Sequence, residues 1–318
     1  MTELTGPDFI CAGMPKAGTG WLFQQIYHHP DFWMSPIKEY HYFDNVFPKE
    51  SILDTIRASR EDPDGFNRAR GRLGFPKLTE RDRLFFDDVL SCSSGGTDLD
   101  EYARLFRQKN GQLSGDMTPD YCGLNEARIA RIAEAFPKLK VIFLIRDPVA
   151  RSWSRLQMRD RRAGFLEDRI DDTEKFKATL LSIGEGAAGF QSEIFLRWKA
   201  HFPENAVRHF FFEEIARTPR KLRRKVLTFL GADASKDSGD VSLNFNSKSG
   251  GSKVAMPDEI KKILVDHFAD DIRESVRVFG PRARPWLRRY GLKLTDGSEE
   301  ADDTLSDFES DSEEATSV

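Results

Sequence analysis

Short apolar runs alternate with amphipathic stretches along most of the chain. Unbroken apolar runs lie at 9–14 and 141–145, and such runs are typical of strands buried on both faces of a parallel sheet. Segments at 32–34, 113–116 and 207–212 predict three further strands. Strands that alternate with helical stretches favour an α/β fold with parallel strands.

Helical periodicity fills most of the intervals between these strands. The stretches that show it lie at 21–27, 51–60, 84–90, 99–106, 125–136, 148–155, 189–201, 221–230, 257–268 and 271–279. Residues 62–77 mix Gly, Pro and charge, and this mixture predicts a mobile loop. We expect one α/β domain over 1–295, in which helices flank a central parallel sheet on both faces. A helical and loop insertion at 45–112 is expected on the substrate side.

The composition is that of a globular protein with an acidic end. Charged residues make up 31% and apolar residues 39% of the 318 residues, and no apolar run approaches the roughly 20 residues that a membrane helix needs. Residues 296–318 hold ten Asp or Glu and no Lys or Arg, so we expect a disordered tail. The remaining 48 basic and 42 acidic residues suit an anionic ligand, although a solvated surface explains them equally well.

The N-terminus has neither the basic nor the apolar region of a signal peptide. We therefore expect a cytoplasmic protein, or one whose leader has been removed. Cys11, Cys92 and Cys122 are an odd number of cysteines at wide spacing, which favours ordinary thiols over a disulfide framework or a zinc site. We predict no metal site, no nucleic-acid partner and no membrane-spanning segment.

A candidate anion site follows the first predicted strand. The loop reads Pro-Lys-Ala-Gly-Thr-Gly over residues 15–20, and a helix begins directly after it. Backbone N–H groups, the helix dipole, Lys16 and the Thr19 hydroxyl would together favour a phosphate or sulfate ester. The usual triphosphate loop places its lysine after the last glycine, whereas Lys16 precedes Gly18 and Gly20. An ordinary strand–helix turn with an incidental lysine is the alternative.

Two further clusters follow predicted strand ends. Arg146 comes directly after the 141–145 run, and the helix behind it opens with hydroxyls that include Ser154, which predicts a second anion site. Lys38, Glu39 and His41 follow the 32–34 segment. Ligands of open α/β sheets bind beyond the carboxyl ends of strands, so both clusters are site candidates.

Four motifs in this order resemble sulfotransferases that use 3′-phosphoadenylyl sulfate (PAPS). They are PKAGTGWL from Pro15, RDPVARSWS from Arg146, KEYHYFD from Lys38 and GDMTPDY from Gly115. The last two resemble the heparan sulfate and related carbohydrate branch, and the resemblance spans about 8–292. It implies a P-loop-like sulfotransferase fold and transfer of a sulfuryl group to an acceptor hydroxyl, on a carbohydrate or glycan-like molecule.

The resemblance also implies which residues bind the donor. They are Lys16, Ala17, Gly18, Thr19, Gly20, Trp21, Arg146, Ser154 and Lys253. Lys16 would stabilise the leaving bisphosphate, the 18–20 loop would hold the 5′-phosphate, and Arg146 with Ser154 would hold the 3′-phosphate. Gly20 stands where many members have Thr or Ser, and Phe190 where tyrosine is common.

Within the resembled branch, Glu39 is the general base, and we favour it over His41. A carboxylate suits this role if burial raises its pKa. Lys38 and His41 are expected to bind substrate or sulfate. Asp116 either contacts the acceptor or closes the strand–turn with backbone hydrogen bonds.

Two other functions remain open. A small-molecule kinase is disfavoured by the position of Lys16 and by the Arg146 and Ser154 pair. A nucleotide-binding scaffold without catalysis is disfavoured because Lys16, Glu39 and His41 are intact. The acceptor is expected to be a glycan, a glycolipid or a small metabolite.

Overall fold

Four parallel strands form the sheet at the centre of the molecule. The computed structural model describes residues 6–163, 172–182, 189–236, 243 and 255–294. The strands are β1 Phe9–Gly13, β2 Gly115–Asp116, β3 Lys140–Ile145 and β4 Val207–Phe211. Their order is β2-β1-β3-β4 with every neighbouring pair parallel. The α/β class and the parallel sheet that the sequence predicts are confirmed.

The register brings the ends of β1 and β3 to the same edge of the sheet. Phe9 lies opposite Lys140 and Ile10 opposite Val141. All five residues of β1 are buried, as an unbroken apolar run predicts for an interior strand. Strand ends that meet at one edge place the loops after β1 and β3 next to each other.

Thirteen α-helices lie within the described parts of the chain. They are α1 Thr19–Tyr27, α2 Glu50–Glu61, α3 Pro63–Arg72, α4 Glu80–Leu90, α5 Leu99–Arg104, α6 Glu126–Ala135, α7 Pro148–Ala163, α8 Thr173–Ser182, α9 Gln191–Lys199, α10 Glu213–Arg217, α11 Pro219–Leu230, α12 Asp258–Phe279 and α13 Arg284–Tyr290. Helices α2 to α5 lie within the 45–112 segment, for which the sequence predicts helices and loops. Its position on the substrate side stays a prediction.

The predicted loop at 62–77 is wrong over Pro63–Arg72, which form α3, whereas residues 73–77 are outside any helix or strand. The Asp62 side chain accepts a hydrogen bond from the Gly65 N–H, and proline is favourable in the first helical turn. The Gly and Pro content that suggested a loop belongs instead to a capped helix start.

Two other sequence predictions also differ from the structure. The segment 32–34 is not a strand, since only Phe32 forms an isolated bridge, with Leu113. The helices expected at 257–268 and 271–279 are one continuous helix, α12. Asp271 inside it is buried and accepts hydrogen bonds from Ser192, so this polar position does not interrupt the helix.

The cysteines and the helix hydropathy complete the picture of the domain. Cys11, Cys92 and Cys122 carry free thiols, and burial raises the pKa of Cys11 to about 12. Within the described ranges, no helix has both the length and the apolar composition to cross a bilayer. The acidic tail at 296–318 lies outside the described residues.

Candidate active site

The anion loop predicted after β1 leads directly into α1. Gly18 is the N-cap of this helix, with φ at 93°, a left-handed conformation that glycine adopts without steric cost. A Cβ at Gly18 would lie 2.3 Å from Ile215 Cδ1, so the loop also needs glycine for packing. The first N–H groups of α1 have no intrahelical acceptor. Such N–H groups, together with the helix dipole, favour an anion at this end of α1.

Lys16 projects from this loop toward α7. Its Nζ lies 3.7 Å from the Met158 Sδ, and its φ is 67°. Ala17 and Thr19 are buried beneath the loop. Trp21 is also buried, and its indole N–H donates to the Leu243 carbonyl at 3.1 Å. Trp21 therefore fixes the first turn of α1 against the chain near residue 243.

A hydrogen bond from Arg146 connects the second predicted anion site with the first. It follows the last residue of β3, and its Nη1 donates to the Lys16 carbonyl at 2.9 Å. Its Cζ lies 4.3 Å from the centroid of the Phe212 ring, a cation–π distance. Burial lowers the pKa of Arg146, although a guanidinium stays protonated in proteins. A half-buried cation is thus held at the edge of the Lys16 loop.

Ser154 lies on the side of α7 that meets this loop. Ser154 and Met158 are four residues apart, so they share one face of the helix. Met158 contacts Lys16, which places Ser154 on the same side as the predicted donor site. Lys253, the remaining predicted donor contact, lies outside the described residues.

Asp147, the residue after Arg146, connects the start of α7 with α13, a role that the sequence did not reveal. Its Oδ1 accepts from the N–H groups of Val149 and Ala150, which caps α7. Arg289 and Tyr290 of α13 donate to the same carboxylate, at 2.5 and 2.8 Å. These partners lie more than 140 residues along the chain, so no local pattern could have identified them.

The Lys38–Glu39–His41 cluster has an unusual backbone. Among the described residues, four that are not glycine have positive φ: Lys16, Glu39, His41 and Asn110. Three of these four are the predicted catalytic residues. Such conformations cost energy and are concentrated at functional sites, so this observation supports their assignment.

Glu39 sits between two basic side chains. Lys38 Nζ forms a very short ion pair with Glu39 Oε1, and His41 Nε2 lies 3.9 Å from Glu39 Oε2. Burial favours a higher pKa for Glu39, but the charge and hydrogen bond of Lys38, followed by the charges of His41 and Arg155, lower it below 4.5. The condition under which a carboxylate is the stronger base, a pKa raised by burial, is therefore not met, and Glu39 is ionised at neutral pH.

His41 is oriented by an aspartate that the sequence analysis quoted but left without a role. Its Nδ1 lies 2.8 Å from Asp44 Oδ2. When Nδ1 carries the proton that is donated to Asp44, Nε2 is the ring atom that faces Glu39, and a proton on Nε2 gives the positive charge that attracts this carboxylate. The three-residue spacing of His41 and Asp44 was the available signal for this pair.

Asp116 is fully buried. Its carboxylate accepts from the hydroxyls of Thr118 and Tyr121 at 2.7 Å each, and from Tyr102 at 3.2 Å. Burial raises the pKa of Asp116 to about 6. The bonds that close the strand–turn here come from side-chain hydroxyls rather than from the backbone, and the expected contact of Asp116 with the acceptor stays a prediction.

The Asp116 network extends to the catalytic segment. The Thr118 Oγ1 accepts from the His41 N–H at 3.3 Å, and the Tyr121 hydroxyl accepts from the Tyr42 N–H at 2.9 Å. Two hydroxyls held by one carboxylate thus fix the main chain at residues 41 and 42.

One group of possible metal ligands was missed by the sequence analysis. Atoms of His41, Asp44 and Asp120 lie within 4.8 Å of one another. However, His41 Nδ1 already bonds to Asp44, and Asp120 pairs with Arg155 at 2.9 Å. A cation at this place would have to displace both of these bonds.

The structure thus forms two groups, and α7 connects them. Lys16, Arg146 and the start of α1 make an anion-binding surface, whereas Lys38, Glu39 and His41 make an acid–base cluster. Met158 of α7 contacts Lys16, and the charge of Arg155, one turn earlier, acts on Glu39. Such a surface beside an ionised carboxylate can bind an anionic donor and deprotonate a hydroxyl.

Solved structures of known proteins share the fold of this chain. The structure is similar to a sulfotransferase from Alicyclobacillus acidocaldarius, with a TM-score of 0.56 and 21% identity over 88% of this chain and 98% of that one. Sulfotransferase STF9 from Mycobacterium avium matches with a TM-score of 0.48 and 14% identity, over 92% of this chain and 79% of that one. The sulfotransferase domain of the Synechococcus PCC 7002 olefin synthase matches with a TM-score of 0.45 and 20% identity, over 83% and 96%.

The sequence comparisons decide the family. No curated protein matches the chain. The profile described as "Sulfotransferase family" matches residues 7–236, a stretch that includes β1 to β4 and every predicted site residue except Lys253. The chain therefore belongs to the sulfotransferase family.

Proposed function

We propose that this enzyme transfers the sulfuryl group of PAPS to a hydroxyl of a carbohydrate or glycan-like acceptor. The observation that carries the proposal is the 2.9 Å hydrogen bond from Arg146 to the Lys16 carbonyl. It puts a half-buried guanidinium beside a loop with a lysine and a helix N-terminus. One ligand with two separate anionic groups, such as a nucleoside 3′,5′-bisphosphate, would engage both cations.

The residues present suit this ligand. The N–H groups at the start of α1 and the Thr19 hydroxyl would hold the 5′-phosphate, since helix N-termini bind such anions. Arg146 and Ser154 would hold the 3′-phosphate, and a guanidinium can bond a phosphate in bidentate fashion. The missing hydroxyl at Gly20 leaves its backbone N–H as a donor.

When PAPS is bound, it supplies an activated sulfuryl group whose leaving partner is adenosine 3′,5′-bisphosphate. Lys16 places its positive charge where that leaving group gains negative charge. Catalysis in such displacements comes mainly from positioning and from electrostatic stabilisation. The contact with Met158 gives the Lys16 side chain a defined direction for this role.

Glu39 is the proposed general base. Its lowered pKa keeps it ionised, so it can accept the proton of an acceptor hydroxyl without first losing one. Lys38, which pairs with Glu39, must release one carboxylate oxygen or share it with the acceptor. His41 is the competing base, since Asp44 orients its ring in the manner of a histidine–aspartate pair.

The carbohydrate acceptor is proposed from the KEYHYFD and GDMTPDY motifs. In the structure these motifs form one unit, because the Asp116 network holds the main chain at residues 41 and 42. A shared, rigid unit beside the base is a suitable place for residues that select the acceptor.

A mass-spectrometric screen tests the proposed reaction. The enzyme is incubated with PAPS and an extract-derived glycan library, and products that gain the mass of one sulfuryl group are sought. Lys16→Ala should abolish these products, whereas Lys138→Ala, at an exposed position, should not. Sulfated products that persist undiminished in Lys16→Ala would contradict the assigned role, and PAPS-dependent transfer to non-carbohydrates alone would contradict the acceptor class.

A further inference from the structure

A pocket of about 170 Å³ lies between α1 and the chain that follows α3. Gly20, Phe23 and Tyr27 of α1 line one side, and their spacing of three or four residues places them on one helix face. Arg70 and Phe75 also line it, and both contact Tyr27 directly, through a hydrogen bond and a ring contact. The volume is close to the roughly 150 Å³ cavity that holds one benzene molecule. The pocket therefore has room for a single six-membered ring.

Aromatic side chains form the walls of this pocket. The ring centroid of Phe75 lies 5.0 Å from that of Tyr27 and 6.0 Å from that of Phe23. Pro36 adds further apolar surface. Aromatic faces at these distances pack well against another flat or apolar ring face. The walls thus favour a ring over a flexible chain.

Arg70 gives the pocket a positive charge. Its residue is only 7% exposed, and its guanidinium donates to the carbonyls of Pro76 and Pro36 at 3.1 and 3.4 Å. A third hydrogen bond goes to the Tyr27 hydroxyl at 2.9 Å. All three acceptors are neutral, so these bonds satisfy N–H groups without neutralising the charge.

No carboxylate among the described residues forms an ion pair with Arg70 within 4.0 Å. Asp82 acts electrostatically on the neighbouring Tyr27, but its carboxylate accepts hydrogen bonds from the N–H and hydroxyl of Thr79. A buried cation without a paired anion is costly. An anionic ligand in the pocket would remove part of that cost.

The pocket also reaches the catalytic segment. Lys38 lines it and forms the ion pair with Glu39. At its other edge lies Gly20, the exposed residue in the first turn of α1. A ring in the pocket would therefore lie between the proposed donor loop and the proposed base.

We propose that this pocket, which we name the Arg70 pocket after its buried cation, binds a six-membered ring that carries a carboxylate. We assign the ring to the sulfuryl acceptor. The assignment to the acceptor rests on the proposed function, whereas the preference for a ring acid rests only on the pocket itself. An acidic sugar and a hydroxylated aromatic acid share this chemistry, and the experiment distinguishes them.

Direct binding measurements test the proposal without sulfuryl transfer. The probes are methyl glucuronide and 4-hydroxyphenylacetate, each titrated calorimetrically into the full chain beside an uncharged partner, methyl glucoside or 4-hydroxyphenethyl alcohol. At least one acid should bind about tenfold or more tightly than its uncharged partner, because hydrogen bonds to charged groups are the stronger ones. The acid that binds identifies the sugar or the arene as the source. Equal binding of acid and uncharged partner, or no binding of either acid, would overturn the proposal.

Variants test whether Arg70 causes the preference for the acidic probe. Arg70→Gln should abolish the discrimination between acid and uncharged probe, whereas Arg72→Gln, at an exposed position on the same helix, should keep it. Because Arg70 also ties down two carbonyls, Phe75→Ala serves as a second variant that leaves the cation in place. It should weaken both probes alike and retain their ratio. Unchanged discrimination in folded Arg70→Gln, or unchanged affinities in folded Phe75→Ala, would overturn the assignment.

The binding measurements separate failure of the Arg70 pocket assignment from failure of the proposed donor site. If adenosine 3′,5′-bisphosphate does not bind while a ring acid does, the donor assignment fails and the pocket stands. If the bisphosphate binds and neither acid does, the Arg70 pocket fails and the donor assignment stands.

Discussion

The Arg146 guanidinium donates a hydrogen bond to the main-chain carbonyl of Lys16 at 2.9 Å. The two residues are 130 positions apart in the chain, and each follows the end of a neighbouring parallel strand. This contact turns two separate candidate anion sites into one surface. The proposed recognition of a nucleoside with both a 5′- and a 3′-phosphate depends on it.

Replacement of Arg146 by alanine should weaken adenosine 3′,5′-bisphosphate binding by about 10- to 100-fold, since a hydrogen bond to a charged group contributes about 1.5–3 kcal/mol. Binding of adenosine 5′-monophosphate, which lacks the 3′-phosphate, should change much less. Calorimetric titration of both ligands measures the ratio, with Arg83→Ala, an exposed residue, as the control. Equal losses for both ligands would mean that Arg146 supports the loop without reading the 3′-phosphate.

The pH dependence of turnover should identify the base. A base acts when deprotonated, so activity falls as pH decreases through its pKa. The pKa of Glu39 lies below 4.5, and kcat should therefore stay level from pH 8 down to about 5. An imidazole base would instead give an acid limb near pH 6.5.

Glu39→Gln gives the matching genetic test, with a predicted loss in kcat of about 10²- to 10⁴-fold and unchanged bisphosphate affinity. The exposed Glu61→Gln serves as the control. Near-normal turnover in Glu39→Gln would transfer the base role to His41.

Two glycines of the donor loop should respond oppositely to alanine. Gly18→Ala forces a side chain into positive φ and within 2.3 Å of Ile215, so it should lower the free energy of unfolding by about 1–3 kcal/mol. Gly20→Ala meets no atom within 4 Å and lies in α1, where alanine is favourable by about 1 kcal/mol. Chemical denaturation measures both, and equal destabilisation would show that loop geometry does not require glycine at position 18.

Asp116 should make the folded protein less stable as pH rises, which is opposite to the usual effect of a carboxylate. Its folded pKa of about 6 lies above the ordinary 3.8, so the folded protein holds this proton more tightly than the unfolded chain does. Its contribution to the free energy of unfolding therefore falls as pH rises from about 4 to 6, by up to about 3 kcal/mol. Asp116→Asn cannot ionise, and the difference between wild type and variant across this window isolates the effect. A difference that is constant with pH would show that Asp116 titrates normally.

The parts of the fold that depend on local sequence were predictable. β1 and β3 are unbroken apolar runs, and the loop between β1 and α1 contains the glycine that its left-handed N-cap needs. Helix α3 was missed because its Gly and Pro residues resemble a loop, whereas Pro63 and Asp62 in fact form a helix start. Composition alone does not separate these two uses of the same residues.

Properties of the site that depend on tertiary contacts could not be predicted. The pKa of Glu39 is lowered partly by Arg155, which α7 brings near from more than 100 positions away. The buried Asp116 carboxylate accepts hydrogen bonds from three hydroxyls, and one of them belongs to Tyr102 of α5. The sequence predicts the charged residues as candidates, but their environments arise only on folding.

The most direct test of the proposed function compares two ligands by thermal and chemical denaturation of the wild-type protein. We predict that adenosine 3′,5′-bisphosphate stabilises the fold by about 2.7 kcal/mol at 100 times its dissociation constant, and that ATP with magnesium does not. Stabilisation by ATP with magnesium and none by the bisphosphate would contradict the account.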